Sequence, residues 1–226
     1  MGAMFINYFC MIKSTKEWRE KYIDSALLVA PSICGSFLTF TVVLTKTIPY
    51  LGFIGELTDS SQKLGGVDIH FPNYEIFGDR PLFTDENGNQ YTARELKKAL
   101  NVTGILDSDP SILKVFESNE DYISHVPPAF DVPTAIIYNT AVETLAYLDR
   151  SGKQDKYSYG PGDMEVNGEG FDYLCNKWNT TYEIDCFNVE HVTPHATHGS
   201  IMHQNVTYDF LFDHINNEDW KKIRKQ

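Results

Sequence analysis

The chain has 226 residues, 42% of them hydrophobic and 13% aromatic, which suffices for a folded domain with a sizeable core and lies outside the composition of disordered chains. Its formal charge of −12 lacks the basic footprint that a nucleic-acid partner requires. The same charge argues against simple electrostatic docking to anionic lipid, while leaving hydrophobic contact with lipid open.

In chain order, residues 2–16 set Met4, Tyr8 and Met11 at helical spacing and predict a buried helix entered through a tight turn. Trp18 to Ile23 is amphipathic and leads into Ser25–Pro31, a short apolar run stopped by proline, as in a parallel-sheet strand. Residues 25–45 carry no charge, but Pro31, Gly35, the many Ser and Thr and two short β-branched runs favour a buried strand followed by a loop over a membrane span. From Lys46 to about Pro128 the pattern changes. It shows no strong period, turn signals at Gly65-Gly66 and Glu86-Asn87-Gly88, and scattered aromatics. One helix is marked there, by Thr92 as N-cap with Glu95 three residues on, a capping box. Thr134–Tyr138 reads as a second buried strand, followed by a polar loop, a turn around Asp163, a helix candidate over 168–178 and a third short strand over 187–192. His198-Gly199 opens a terminal helix supported by Ile201, Tyr208, Leu211, Phe212 and Ile215, and the basic tail reads as a solvated helix end. No internal repeat or low-complexity tract interrupts the chain.

The residues that carry chemistry cluster late. Asp163 sits in a glycine-flanked turn and His198 precedes a glycine, 35 positions apart. That interval suits an Asp loop, a helix, a strand and a His loop, the second and third parts of a Ser…Asp…His triad in α/β-hydrolase order. An Asp in such a turn is by itself most often a turn residue. His191, His195, His198 and His203 also admit a zinc reading, but strand-end histidines beside Pro194 do not share a helix face and no carboxylate completes a ligand pattern. His195 is the alternative general base; His70, His125 and His214 read as incidental. Of four cysteines, Cys10 and Cys34 lie in apolar settings expected of buried thiols, whereas Cys175 and Cys186 are close enough to close a short loop. Sequons at Asn101, Asn179 and Asn205 point to a secreted protein or one of the lysosomal or endomembrane lumen, although no basic start or small-residue cleavage site of a signal peptide is visible.

The chain resembles the C-terminal part of the lecithin:cholesterol acyltransferase family, which includes lysosomal phospholipase A and the phospholipid:diacylglycerol acyltransferases. The resemblance runs, with gaps, over nearly the whole chain. The stretch from Glu17 to Pro31 is similar to that family's helix-to-strand passage; Phe71-Pro72 and Tyr91-Thr92 are similar to cap landmarks; Tyr138-Asn139-Thr140 is similar to a Tyr-Gly-Thr turn. Gly162-Asp163 with Val166, Leu174-Cys175 and Trp178 resembles the segment holding the catalytic Asp, and His198 with Ile201-Met202 the segment holding the His. The resemblance implies an α/β-hydrolase core on a parallel sheet with an inserted cap: core over 1–45, cap or lid over 46–128, core again over 129–226. It implies Asp163 and His198 as catalytic residues, no cofactor and no metal. It departs from the family at Met164-Glu165, at Ser32-Ile33-Cys34 and in lacking a cysteine near Ile137. In place of that cysteine's bond to Cys175, a Cys175–Cys186 bridge is expected.

No Gly-x-Ser-x-Gly occurs, yet Met1–Phe9 resembles the segment just past the nucleophile in this family, so the expectation is a core truncated at its N-terminus, beginning one residue after its serine, with Met1 supplying an oxyanion amide. The implied activity is lipid acyl-ester transfer, as an O-acyltransferase or phospholipase A. Its partners would be a glycerophospholipid, a lipid hydroxyl acceptor or water, and peripherally a membrane or lipoprotein surface. The cap would line the acyl channel and limit water. The alternatives are another α/β-hydrolase lipase or esterase, or a non-catalytic remnant that binds lipid or a partner.

Overall fold

The computed structural model describes residues 2–47, 65–178 and 180–223. In chain order the helices are α1 (Gly2–Tyr8), α2 (Lys16–Tyr22), α3 (Phe37–Thr45), α4 (Gly65–Asp68), α5 (Tyr74–Phe77), α6 (Leu96–Val102), α7 (Ile105–Ser108), α8 (Pro110–Ser124), α9 (Gly168–Lys177) and α10 (Asn205–Asn216). The strands are β1 (Ala26–Val29), β2 (Pro81–Thr84), β3 (Gln90–Thr92), β4 (Thr134–Tyr138), β5 (Ala141–Asp149), β6 (Lys156–Asp163) and β7 (Ile184–Asn188). The protein is mixed α/β and contains a parallel sheet. The chain visits two compact units in alternation: Met1–Ile33, Pro127–Glu143 and Pro161–Gln226 form the first, and Cys34–Val126 with Thr144–Gly160 the second. Residues 34–45 and 144–160 therefore group with the segment up to 126.

The first unit is built on β1-β4-β7, all parallel. β4 is the centre and every residue of it is buried, which is why Thr-Ala-Ile-Ile-Tyr runs apolar without alternation. The third strand begins earlier than its apolar signal, at Ile184, and Val189–Val192 is a turn fixed by the Val192 and Thr193 amides donating to Val189 O. The terminal helix likewise starts at Asn205, after a 3₁₀ turn over Ile201–His203, so His198 lies in the loop before it. The N-terminal segment is helical but not buried all round. α1 passes into a π turn (Phe9–Lys13) whose inner face is Met4, Asn7 and Cys10, while Phe5, Ile6, Phe9 and Ile12 are exposed. The π turn leaves carbonyls at its end without helical partners, and buried Arg19 meets them: its guanidinium donates to Cys10 O (2.7 Å) and Ser14 O (3.1 Å), and its Nε donates to the distant Phe130 O (3.2 Å), which ties the turn to the segment before β4. Cys175 and Cys186 are bonded to each other and tie α9 to β7; Cys10 and Cys34 are free and buried.

The second unit packs around α3. The sequence pattern reads this stretch as a loop because Thr39, Thr41, Val42, Val43 and Thr45 are weak helix formers. Ser36 nonetheless caps it, accepting from the Leu38 amide (3.1 Å), and nearly every side chain is buried among Phe71, Phe83 and Phe116, so packing overrides propensity. Gly35 lets the cap form: its φ is +84°, and a Cβ there would lie 2.0 Å from Phe71 O. No helix among the described residues is long and apolar enough to cross a membrane. The capping box at Thr92 and Glu95 is present. The polar stretch after β4 is not a loop but the long strands β5 and β6, which carry the chain into this unit and back.

Candidate functional site

Asp163 ends β6 and is fully buried. The turn after it folds back on its carboxylate. Oδ1 accepts from the Val166 amide (2.7 Å) and the Glu165 amide (3.1 Å), and the Asp163 amide donates to Val166 O (3.2 Å). Met164, at the apex, takes φ +86°, a left-handed conformation. With Oδ1 occupied, Oδ2 accepts from His198 Nδ1 at 2.8 Å, and a second bond runs from the His198 amide to Asp163 O at 2.7 Å. An ionised carboxylate only accepts, so Nδ1 carries the hydrogen and Nε2 is left as the acceptor of the neutral ring.

The imidazole keeps 24% side-chain exposure. Burial alone pulls its pKa down; the hydrogen bond and charge of Asp163, with the charge of Glu165, outweigh that and hold it above the ordinary histidine value. Glu165 Oε2 lies 4.0 Å from Nε2. Asp163 closes β6, whose Gly162 amide donates to Thr140 O just past β4 (3.2 Å), and His198 lies in the loop that follows the parallel strand β7. Such an ordered Asp–imidazole pair can take a proton at Nε2 from a hydroxyl and stabilise the imidazolium that results.

The loop that carries His198 is held by a residue that the sequence pattern marks only as part of a turn. Asn139, buried at the end of β4, donates its side-chain amide to the carbonyls of Ala196, Pro194 and Thr193 at 2.8, 3.2 and 3.4 Å. Nearby, Thr140 and Asn188 bind Glu190 Oε2 at 2.5 and 3.1 Å, which fixes the start of the same loop.

The remaining candidates separate from the dyad. Met1 and Asn179 lie outside the described residues. Asn101, on α6, and Asn205, the first residue of α10, are both exposed. His195 and His203 are exposed, and His191 is exposed with its ring beside Glu190 (3.2 Å). Among the described residues no three His, Cys, Asp or Glu side chains converge as a metal site. His70 bonds Gly66 O through Nδ1 at 2.7 Å, and His125 is exposed at the end of α8. His214 is not incidental to the fold: buried between Phe210 and Trp220, it binds Asp185 (2.7 Å) and so locks α10 to β7. No protein-family model matches this chain, and no curated protein matches it either.

Proposed function

We propose that this chain carries the acid and the base of a Ser–Asp–His triad on an α/β-hydrolase core. We assign it to lipid acyl-ester transfer, as an O-acyltransferase or phospholipase A acting on glycerophospholipids. The observation that carries the reading is the 2.8 Å bond between a fully buried Asp163 and a partly exposed His198. The end of β6 supplies Asp163 and the loop after the parallel strand β7 supplies His198, with the acid before the base in the chain as in α/β-hydrolases. The lipid substrate class rests on the family resemblance.

In this mechanism a serine hydroxyl held at Nε2 attacks the ester carbonyl. His198 takes its proton and returns it to the departing lysophospholipid, while Asp163 keeps the imidazole in the Nδ1–H tautomer and offsets its charge. The acyl-enzyme is resolved by a lipid hydroxyl or by water. The test is acyl release and acyl transfer from labelled phosphatidylcholine, with triacylglycerol in parallel, by the full-length protein. Substituting His198→Gln should cut turnover by about 10³-fold or more with folding intact. Near-normal turnover in that variant excludes the assignment, and turnover of triacylglycerol alone moves it to a neutral lipase.

A further inference from the structure

We infer that Asn139 is the positioning residue of the His198 loop, setting the imidazole against Asp163 from the neighbouring strand; its purpose in catalysis rests on the acyl-ester reading above. Asn139 is wholly buried one residue past β4. Both ends of its amide are used. Oδ1 accepts from the Ala141 amide at 3.1 Å, and Nδ2 donates to Ala196 O at 2.8 Å and, more weakly, to Pro194 O and Thr193 O. The stretch 193–196 belongs to no helix or strand. Its own contacts are local: the Thr193 amide to Val189 O (2.8 Å) and the Ala196 amide to Thr193 O (3.0 Å). Such bonds shape a loop without aiming it. Asn139 ties it to the central strand of the sheet, and two residues beyond Ala196 the His198 amide reaches Asp163 O at 2.7 Å.

Only a carboxamide supplies this combination. Alanine removes the donor and leaves the carbonyls without it; aspartate keeps the acceptor for Ala141 but turns an anionic oxygen toward the carbonyls. Either change should let the loop swing while leaving strand pairing in place.

The test is NMR of the whole protein labelled at histidine. The parent should show a low-field Nδ1–H resonance from His198 bonded to Asp163, and N139A and N139D should lose it. The ring pKa of His198 should fall in both, and exchange of its backbone amide should quicken by about tenfold, the loss of one modest hydrogen bond. His214, locked to Asp185 in the same unit, is the internal reference: its unchanged signal shows that the variant is folded. If N139A loses that reference, the isosteric N139D decides. An unmoved His198 resonance and pKa in a folded variant overturn the inference. The readout concerns the dyad itself, so it is independent of whether lipid esters prove to be the substrate.

Discussion

Asp163 reaches its bonding geometry through a turn that Met164 fits poorly. A side chain at φ +86° costs about 1–2 kcal/mol, and the turn holds because the Asp163 carboxylate accepts two of its amides. Met164→Gly relieves that strain at the cost of a more flexible unfolded chain, so stability should rise by roughly 0.5–1 kcal/mol. Thermal melting of the variant, with the Asp163–His198 bond followed by its low-field proton, checks this; a lowered melting temperature counts against the strain. The same residue shows how far the sequence is legible. Glycines at 160 and 162 and the interval to His198 mark the dyad, because turn chemistry and spacing are local properties. The left-handed position falls on a methionine, which gives no such signal. Glu165 beside Nε2, and the reach of Asn139 across 57 residues to Ala196, arise only when distant strands come together.

Elements are readable where burial and period agree. β4 is apolar because both its faces are covered, and the helix expected over 168–178 is α9, which ends at Lys177 with Trp178 as its C-cap. The misread elements are those where tertiary packing sets the outcome. α3 is helical despite β-branched residues. β5 and β6 are long strands with many exposed positions: Thr144, Leu145 and Leu148 are the buried residues of β5, and Gly162 and Asp163 those of β6. α8 carries usable signals, since Asp109 caps it, Pro110 opens it, and Ile112, Phe116 and Ile123 recur on one face; they are submerged in a segment that reads as aperiodic. One element contact has a measurable weight. The Cys175–Cys186 bond closes a loop of sequence separation 11 between α9 and β7. Replacing both cysteines by alanine should cost about 3 kcal/mol, or roughly 6–12 °C in melting temperature. Hydrogen exchange should quicken first at the β7 end of α9; equal melting of parent and variant would show that the crosslink contributes nothing.

At the scale of the whole molecule, titrating groups in both units favour the folded state in mild acid. In the second unit Asp68 is 2% exposed, and burial pushes its carboxyl up to about 7. Because the folded value exceeds the unfolded one, the contribution is fully present below about pH 4 and falls by about 1.4 kcal/mol per pH unit until about pH 7. In the first unit the raised pKa of His198 acts in the same sense: its contribution is present below about pH 6.5 and is lost as pH rises through the folded value. Other carboxylates set the acid limit. Glu190 is held low by the hydroxyl of Thr140, Glu95 by Lys98 and Asp149 by Ser151, and such groups lose their stabilising bonds as pH drops through their folded values. The formal charge of −12 adds self-repulsion that acid relieves. Melting temperature should therefore peak at about pH 5 and decline toward pH 8. Asp68→Asn should flatten the part of that decline that belongs to the second unit, leaving the limb that tracks His198, which His198→Gln removes. Melting curves from pH 3 to 9 on the three proteins test this directly. A parent that goes on gaining stability above pH 7, or an Asp68→Asn variant with the parent's slope, would mean that Asp68 is ionised in the folded state and that its burial is compensated.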